Sequence, residues 1–416
     1  MKVTRTITIL GSLSRVNIGT TQLKLLRNTA LIGTSILVHL WALTASKIFA
    51  DAISFGDLGL YDYWSYMANN GAGWYGLVTD WVYPALAFVP IWLAGLVTLL
   101  DYEIAWLALV FILNTDAALT LVKKTESNKP LAGTFASWAF LAALFAIGPV
   151  AVSRIDSVSA ALAIFGLVAI NRNQIATASA FFTIAGWIKI WPVALFVSLL
   201  ATVEQKAKAI YVALAITSSI VIVGLITGGN TVFGFITQQQ DRGIQIESVM
   251  ATLWMWLAKL GLAGIFFDEQ VLTNQVSGVL VEEIASASNW LMWLALTITF
   301  LFAVRAIRAG RNRKEVFALA SLTGVLDLIV FNKVGSPQFM TWLAVALVAI
   351  IFFEVRSIKT PLVIGGTILL LTQLIYPVFY TELLGLETLP LWLLTIRNLL
   401  LVWLLIWANL RLSRAK

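Results

Sequence analysis

The sequence reads as an all-α polytopic membrane protein, on three observations. Sixty per cent of its 416 residues are hydrophobic and only 12 per cent are charged, against about 25 per cent charged in a soluble domain. The mean hydropathy is +0.89, and a soluble fold of that composition would expose apolar surface and precipitate. The Lys and Arg residues fall in clusters separated by apolar runs of spanning length. Disorder, a coiled coil and a disulfide scaffold are excluded on the same grounds. With no cysteine and a single histidine, His39, a thiolate metal site and a cysteine nucleophile are excluded too, and almost no room is left for a His-based metal site or a Ser–His triad.

The spans follow from charge. Basic clusters at 2–27, 123–129, Arg172, 206–208, 305–314, 356–359 and 411–416 hold most of the 28 basic residues. Only Glu126, Glu204, Glu315 and Glu354 lie in or beside them. Putting all of these clusters on the cytoplasmic side predicts twelve spans, at 28–50, 104–122, 131–147, 157–170, 175–190, 192–203, 208–227, 289–304, 316–331, 338–354, 361–377 and 390–408, with both termini inside. Two further apolar runs, 83–100 and 250–267, would invert every later cluster if either crossed alone. They are read as juxtamembrane or re-entrant segments on the outer side, beside Asp101, Glu103, Asp268, Glu269, Glu282 and Glu283.

The chain is therefore one integral membrane domain over 1–416. It has a basic tail at 1–27, suited to anionic headgroups, a first outer loop at 51–103 and a second at 228–288. The first apolar run is too long for the core of a signal peptide. There is no inverted repeat of the transporter kind, no low-complexity stretch and no soluble-domain boundary.

Seven cations fall outside the clusters: Lys47, Arg154, Lys189, Arg242, Lys259, Lys333 and Arg397. A charge at membrane depth costs about 2.5–3.5 kcal/mol on insertion scales and persists where it meets protein, water or a ligand. Lys47, Lys259 and Arg397 are read as snorkelling to the interface. Arg154, Lys189, Arg242 and Lys333 sit near outer span ends or in outer loops, each in a polar or proline-marked stretch. They form either a cationic patch suited to a phosphate or phosphodiester or ion pairs with Asp156, Asp241, Glu247 and Asp327. Among the mid-span acids, Asp327 lies near that patch, and Asp116, beside Asn114, has no partner that the sequence names. The first outer loop offers carboxylates beside glycine and aromatic residues, where one could act as a general base. Asp57 is the first choice and Asp62 the second, whereas Asp80 and Asp156 read as structural. Trp64, Trp74, Tyr75 and Trp81 suit sugar packing, but as a set they suit the membrane interface better.

The run Asp57-Leu58-x-x-Tyr61-x-x-Trp64 resembles the D-L-x-x-Y-x-x-W signature of polyprenol-phosphate-mannose-dependent mannosyltransferases of the GT-C superfamily, in particular the actinobacterial PimE-like α-1,2-mannosyltransferases. The resemblance continues through Tyr83-Pro84, Arg154-x-Asp156, Ile188-Lys189-x-x-Pro192, Arg242-Gly243-x-Gln245-x-Glu247-Ser248 and Lys333-x-x-Ser336-Pro337-Gln338, over about 55–340. It departs from the family at Ala85, where a second proline is common, and in having no histidine other than His39.

The resemblance implies a GT-C fold of twelve to thirteen helices in the plasma membrane, with the active site on the extracytoplasmic face. The implied activity is inverting transfer of mannose from a polyprenyl-phosphate donor to a lipid-linked or glycan acceptor such as a phosphatidylinositol mannoside. Asp57 would be the base, and Arg154, Lys189, Arg242 and Lys333 would hold the donor phosphate. Tyr61, Asp62, Trp64, Tyr83, Gln245, Glu247, Ser248, Ser336 and Gln338 would bind substrate. No cofactor, metal or nucleic acid is implied, and no cluster has metal-ligand spacing. Transfer of arabinofuranose or glucose, or a lipid or solute transport role, are the alternatives. The layout is testable because the chain has no cysteine of its own. Cysteines introduced at Thr79 and Ser277 should react with an impermeant reagent in intact cells, and one at Asn312 should not; labelling at Asn312 would overturn it.

Overall fold

The computed structural model describes residues 20–49, 55–123, 130–238 and 242–414. In chain order, α1 (Thr20–Phe49) leads to α2 (Gly56–Met67) and α3 (Phe88–Gly95), then α4 (Tyr102–Lys123), α5 (Pro130–Ile147), α6 (Val150–Ser153), α7 (Asp156–Asn171) and α8 (Ile175–Ile188). Next come α9 (Val193–Thr202), α10 (Lys206–Gly228), α11 (Gly234–Thr237) and α12 (Thr252–Lys259), and a hairpin of β1 (Gly264–Asp268) and β2 (Thr273–Ser277). The chain continues through α13 (Val281–Arg308), α14 (Arg313–Val330), α15 (Phe339–Phe352), α16 (Lys359–Gln373), α17 (Tyr380–Leu384) and α18 (Thr388–Ser413). A helix occupies each of the twelve stretches expected to span. Among the described residues, six stretches are long and apolar enough to cross a membrane by length and composition, within 21–48, 102–122, 206–237, 281–308, 359–378 and 388–413. The chain is a multi-pass membrane protein built almost entirely of helix.

Burial explains why the other helices are short. All 14 residues of α15 are buried, so this helix, about 21 Å long at 1.5 Å per residue, meets protein on every side and need not match a hydrocarbon core of about 30 Å. Most of α7 and α14 is buried as well. By contrast, only Ala209 and Gly224 of α10 are buried. An apolar helix left so bare needs an apolar solvent around it. Inside the bundle, polar groups satisfy one another. His39 Nδ1 donates to the Ser35 carbonyl at 2.8 Å, Nε2 lies 3.3 Å from Asn114 Nδ2, and Ser35 and Thr115 hydroxyls meet at 2.7 Å. His39 is thus engaged between α1 and α4.

The two ends of the bundle differ in kind. At the basic end, cations cap helix C-termini, where free carbonyls and the helix dipole favour positive charge. Lys314 donates to the Asn171 carbonyl at 3.0 Å, and Arg311 to those of Arg411 and Leu412 at 3.0 and 3.1 Å. At the other end lie α2, α3, α6, α11, α12, the hairpin and α17, tied together by long-range contacts such as Lys259 Nζ to the Leu386 carbonyl at 2.9 Å.

Three details refine the sequence reading. First, α1 begins at Thr20, so Lys24 and Arg27 belong to a helix and not to a tail; 1–19 lie outside the described residues. Second, the run 83–100 folds as a 3₁₀ turn and the eight-residue α3, packed between α2 and α4. Third, the run 250–267 is not one segment. Gly261, at φ +74°, follows the end of α12. The β-branched and aromatic Ile265-Phe266-Phe267 then pairs antiparallel with β2, Gly264 opposite Ser277 and Asp268 opposite Thr273.

Gly166 of α7 lets α8 approach closely, since a Cβ there would lie 2.4 Å from the Phe182 ring. Gly166→Ala should force these helices apart and cost about 1–3 kcal/mol, read as a lower thermal midpoint in detergent. An unchanged midpoint would show that the contact relaxes freely.

Candidate functional site

The site grows from one face of α2. Residues 57, 61 and 64 recur at helical spacing and so share a face. Asp57 lies in the first turn, where the helix dipole favours a carboxylate, and its side chain is 26 per cent exposed. It is ion-paired with Arg154. Tyr61, fully buried, accepts the Ile155 backbone N–H at 3.1 Å. One helix face thus grips two consecutive residues of the turn between α5 and α7. Trp64 continues the face and packs against Tyr61, Tyr75, Trp81 and Tyr83, so Trp64 and its neighbours form an aromatic wall. Asp62 falls on the opposite, exposed side of α2. At 100° per residue it points away from the face that carries Asp57, Tyr61 and Trp64.

The turn itself carries the next three groups. Gly148 adopts φ +73°, and a Cβ there would meet Gln373 at 2.5 Å, so the chain reverses tightly against the end of α16. Arg154 follows in extended conformation, 7 per cent exposed. It reaches Asp57 and, at 3.4 Å, the Tyr376 hydroxyl. Asp156, 1 per cent exposed, accepts from Trp342 Nε1 at 2.6 Å and faces Lys189 Nζ at 3.8 Å. Lys189 stands between α8 and α9 with its ammonium over the Tyr83 ring, 4.3 Å from the centroid. Burial and the Asp156 charge push the Tyr83 phenol up to about 12.

Arg242 and Lys333 come from two other loops and line one cavity of about 720 Å³ together with Asp268, Gln275, Glu282, Asn289, Trp290 and Trp293. The two tryptophans, 78 and 59 per cent exposed on α13, give the cavity a bare apolar flank. Burial lowers the affinity of Arg242 for its proton, against the pull of Tyr83 and Asp268. The four expected phosphate-binding cations do not all converge: neither Asp57 nor Arg154, which pair with each other, lines this cavity. Arg242 and Lys333 share the cavity wall. Lys189, answered by Asp156, does not line it, yet lies within the electrostatic reach of both Arg242 and Arg154.

Several residues expected to bind substrate have another engagement. Gln245 Oε1 accepts from Gly335 N at 3.2 Å and Ser336 Oγ at 3.1 Å, and Gln245 N donates to the Lys333 carbonyl at 2.9 Å. Gln245 and Ser336 thus stitch the two cation-bearing loops together. Ser248 Oγ accepts from Ala251 N at 3.1 Å and closes the turn before α12. Gln338 is the half-buried residue that opens α15. Glu247 is 2 per cent exposed and bonds with Tyr380, whose hydroxyl accepts from Asn274 at 3.1 Å. Arg397, read from the sequence as snorkelling, is instead 2 per cent exposed and donates to the Glu247 carbonyl, and Asn398 donates to that of Ser248 at 3.1 Å. Tyr376, Trp342, Tyr380, Arg397 and Asn398 were missed. Only Arg397 gave a signal, as an unexplained charge.

Asp327 accepts from Thr299 at 2.7 Å, and Asp116 is exposed on α4. Asp241 and Asp51 lie outside the described residues.

No family model matches the chain, and no curated protein matches it. Among solved structures it is similar to that of ArnT from Cupriavidus metallidurans in the apo state, with 13 per cent identity, a TM-score of 0.42, and 86 per cent of this chain and 72 per cent of that one covered. At that distance the likeness assigns neither a fold family nor an activity.

Burial pushes the Glu247 carboxyl up to about 7 from its ordinary 4.5. The folded state therefore holds this proton more tightly than the unfolded chain. Its stabilisation is complete below about 4.5 and is lost as pH rises through about 7. Between about pH 5 and pH 8, the thermal midpoint of the wild type should fall relative to Glu247→Gln. Parallel curves for the two proteins would exclude Glu247 as a titrating group.

Proposed function

We propose that the protein is a membrane glycosyltransferase of the GT-C type that moves a sugar, mannose by the motif resemblance, from a polyprenyl-phosphate donor to a hydroxyl of a lipid-linked or glycan acceptor. The observation that carries this reading is one partly exposed carboxylate, Asp57, ion-paired with Arg154 at the end of an apolar bundle where Lys189, paired with Asp156, and the cavity lined by Arg242 and Lys333 also lie. The flank of Trp290 and Trp293 beside Arg242 and Lys333 supports a donor whose phosphate enters from the lipid side. A polyprenyl tail resists leaving the bilayer, at about 0.8 kcal/mol per CH₂. The face that holds the site is proposed to be extracytoplasmic, with the basic ends of the helices inside.

In the reaction the acceptor oxygen attacks C1 of the sugar and the bond from C1 to the phosphate oxygen breaks. Asp57 takes the hydroxyl proton, and base catalysis of this kind contributes about 10²–10⁴-fold. The leaving phosphate gains negative charge, which Arg242 and Lys333, with Lys189 behind them, stabilise through fixed positive charge. A phosphate leaves without a proton, so one carboxylate suffices. Attack from the face opposite the phosphate inverts the anomeric centre. Tyr83 and Trp64 offer aromatic faces to the sugar beside Lys189.

Purified protein given radiolabelled polyprenyl-phosphate mannose, and in parallel the arabinofuranose and glucose donors, over a panel of acceptor lipids, tests donor and acceptor together. Asp57→Asn should express normally and lose turnover by about 10²-fold or more. Near-normal transfer by that variant would remove Asp57 as the base.

A further inference from the structure

We propose that Arg154 caps Asp57 until a lipid-borne phosphate enters, and that the phosphate uncovers the carboxylate by drawing Arg154 away. This rests on the reading of Asp57 as base and of the cation cluster as a phosphate site.

The arrangement singles out Arg154 as the movable cation. Lys189 is held between Asp156, itself fixed by Trp342, and the Tyr83 ring. The backbone at 154–155 is fixed as well, because Tyr61 holds the Ile155 N–H. Among the described residues the Arg154 side chain, in contrast, has an ion pair with Asp57 and a long contact to the Tyr376 hydroxyl at 3.4 Å. Among the described residues its buried Nε finds no hydrogen-bond partner, and the same is true of Arg242 Nε. Arg154, buried, and Arg242, half-buried, each with an unengaged Nε–H among the described residues and both within electrostatic reach of Lys189, are suited to an anion with several acceptor oxygens. A guanidinium binds phosphate through two parallel hydrogen bonds, so a phosphate competes with Asp57 for the same side chain.

The competition couples chemistry to occupancy. With Arg154 on it, Asp57 is a neutralised partner and a poor proton acceptor, since a nearby cation stabilises its charged form. With Arg154 on the phosphate, the carboxylate faces the acceptor hydroxyl without its counter-ion. After transfer, Asp57 is protonated and no longer attracts Arg154, which stays on the leaving phosphate. Loss of that proton to water restores the carboxylate, pulls Arg154 back and loosens the product. Asp57 thus activates a hydroxyl only when a donor is present, which limits wasteful reaction.

The test uses the full-length protein in detergent and farnesyl phosphate as the probe, with affinity measured directly for the wild type, Asp57→Asn, Asp57→Ser, Arg154→Gln and the Asp57→Asn/Arg154→Gln double variant. Two substitutions at Asp57 guard against misfolding in one of them. Removing the competitor should tighten phosphate binding about ten-fold in both Asp57 variants. The gain should vanish when Arg154 is also replaced. Equal or weaker binding by the Asp57 variants overturns the cap. So does a gain that survives the loss of Arg154, because general electrostatics would then explain it. Absence of binding by every variant overturns the shared cation. A protein with the expected binding pattern that transfers sugar from no donor keeps the cap and loses the enzyme reading, and a transferase without the Asp57 gain does the reverse.

Discussion

Burying Arg154 in an apolar bundle obliges the protein to build around it. A charge removed from water is tolerated only where opposite charge and hydrogen bonds replace the lost solvation. Here Asp57 arrives from α2, Tyr376 from the stretch that follows α16, and Tyr61 fixes the neighbouring backbone so that the guanidinium emerges in one direction. Asp156, two residues on, repeats the solution with Lys189 and Trp342. The two ion pairs draw α2, α7, α8, α15 and α16 to one point. The site is thus the place where the apolar packing of the bundle gives way to paired charge.

A second support works from the other side. Arg397 and Asn398 of α18 hold the backbone of 247–248, and Gln245 joins that loop to 333–336. The cavity that Arg242 and Lys333 line therefore has walls tied to a long helix, and does not depend on two free loops to keep its shape. Proteins position functional groups best on such rigid frames.

Much of this was legible in the chain, and the rest was hidden for definable reasons. Long apolar runs between basic clusters located the helices, because a bilayer demands both features. The spacing of Asp57, Tyr61 and Trp64 already marked one helix face, and the same geometry puts Asp62 on a different one. The hairpin was hidden because a short apolar run such as Ile265-Phe266-Phe267 reads equally as helix or strand. The partners Tyr376 and Trp342 were hidden because nothing local in a sequence reports a contact made across the whole bundle. Arg397 was misread as snorkelling, although it lies about two and a half turns into α18, too deep for an easy return to the interface.

The close approach at Gly335 has a consequence for how such a chain can change over time. A Cβ there would sit 2.2 Å from the Ser248 backbone nitrogen, so the two loops touch main chain to main chain. Neither can gain or lose a residue without shifting Lys333 relative to Arg242. They are separate in sequence but form a single unit of inheritance. A chimaera that exchanged one loop with a relative would have to exchange the other with it, and freedom to vary is left to the walls around them, the hairpin and the aromatic face of α2.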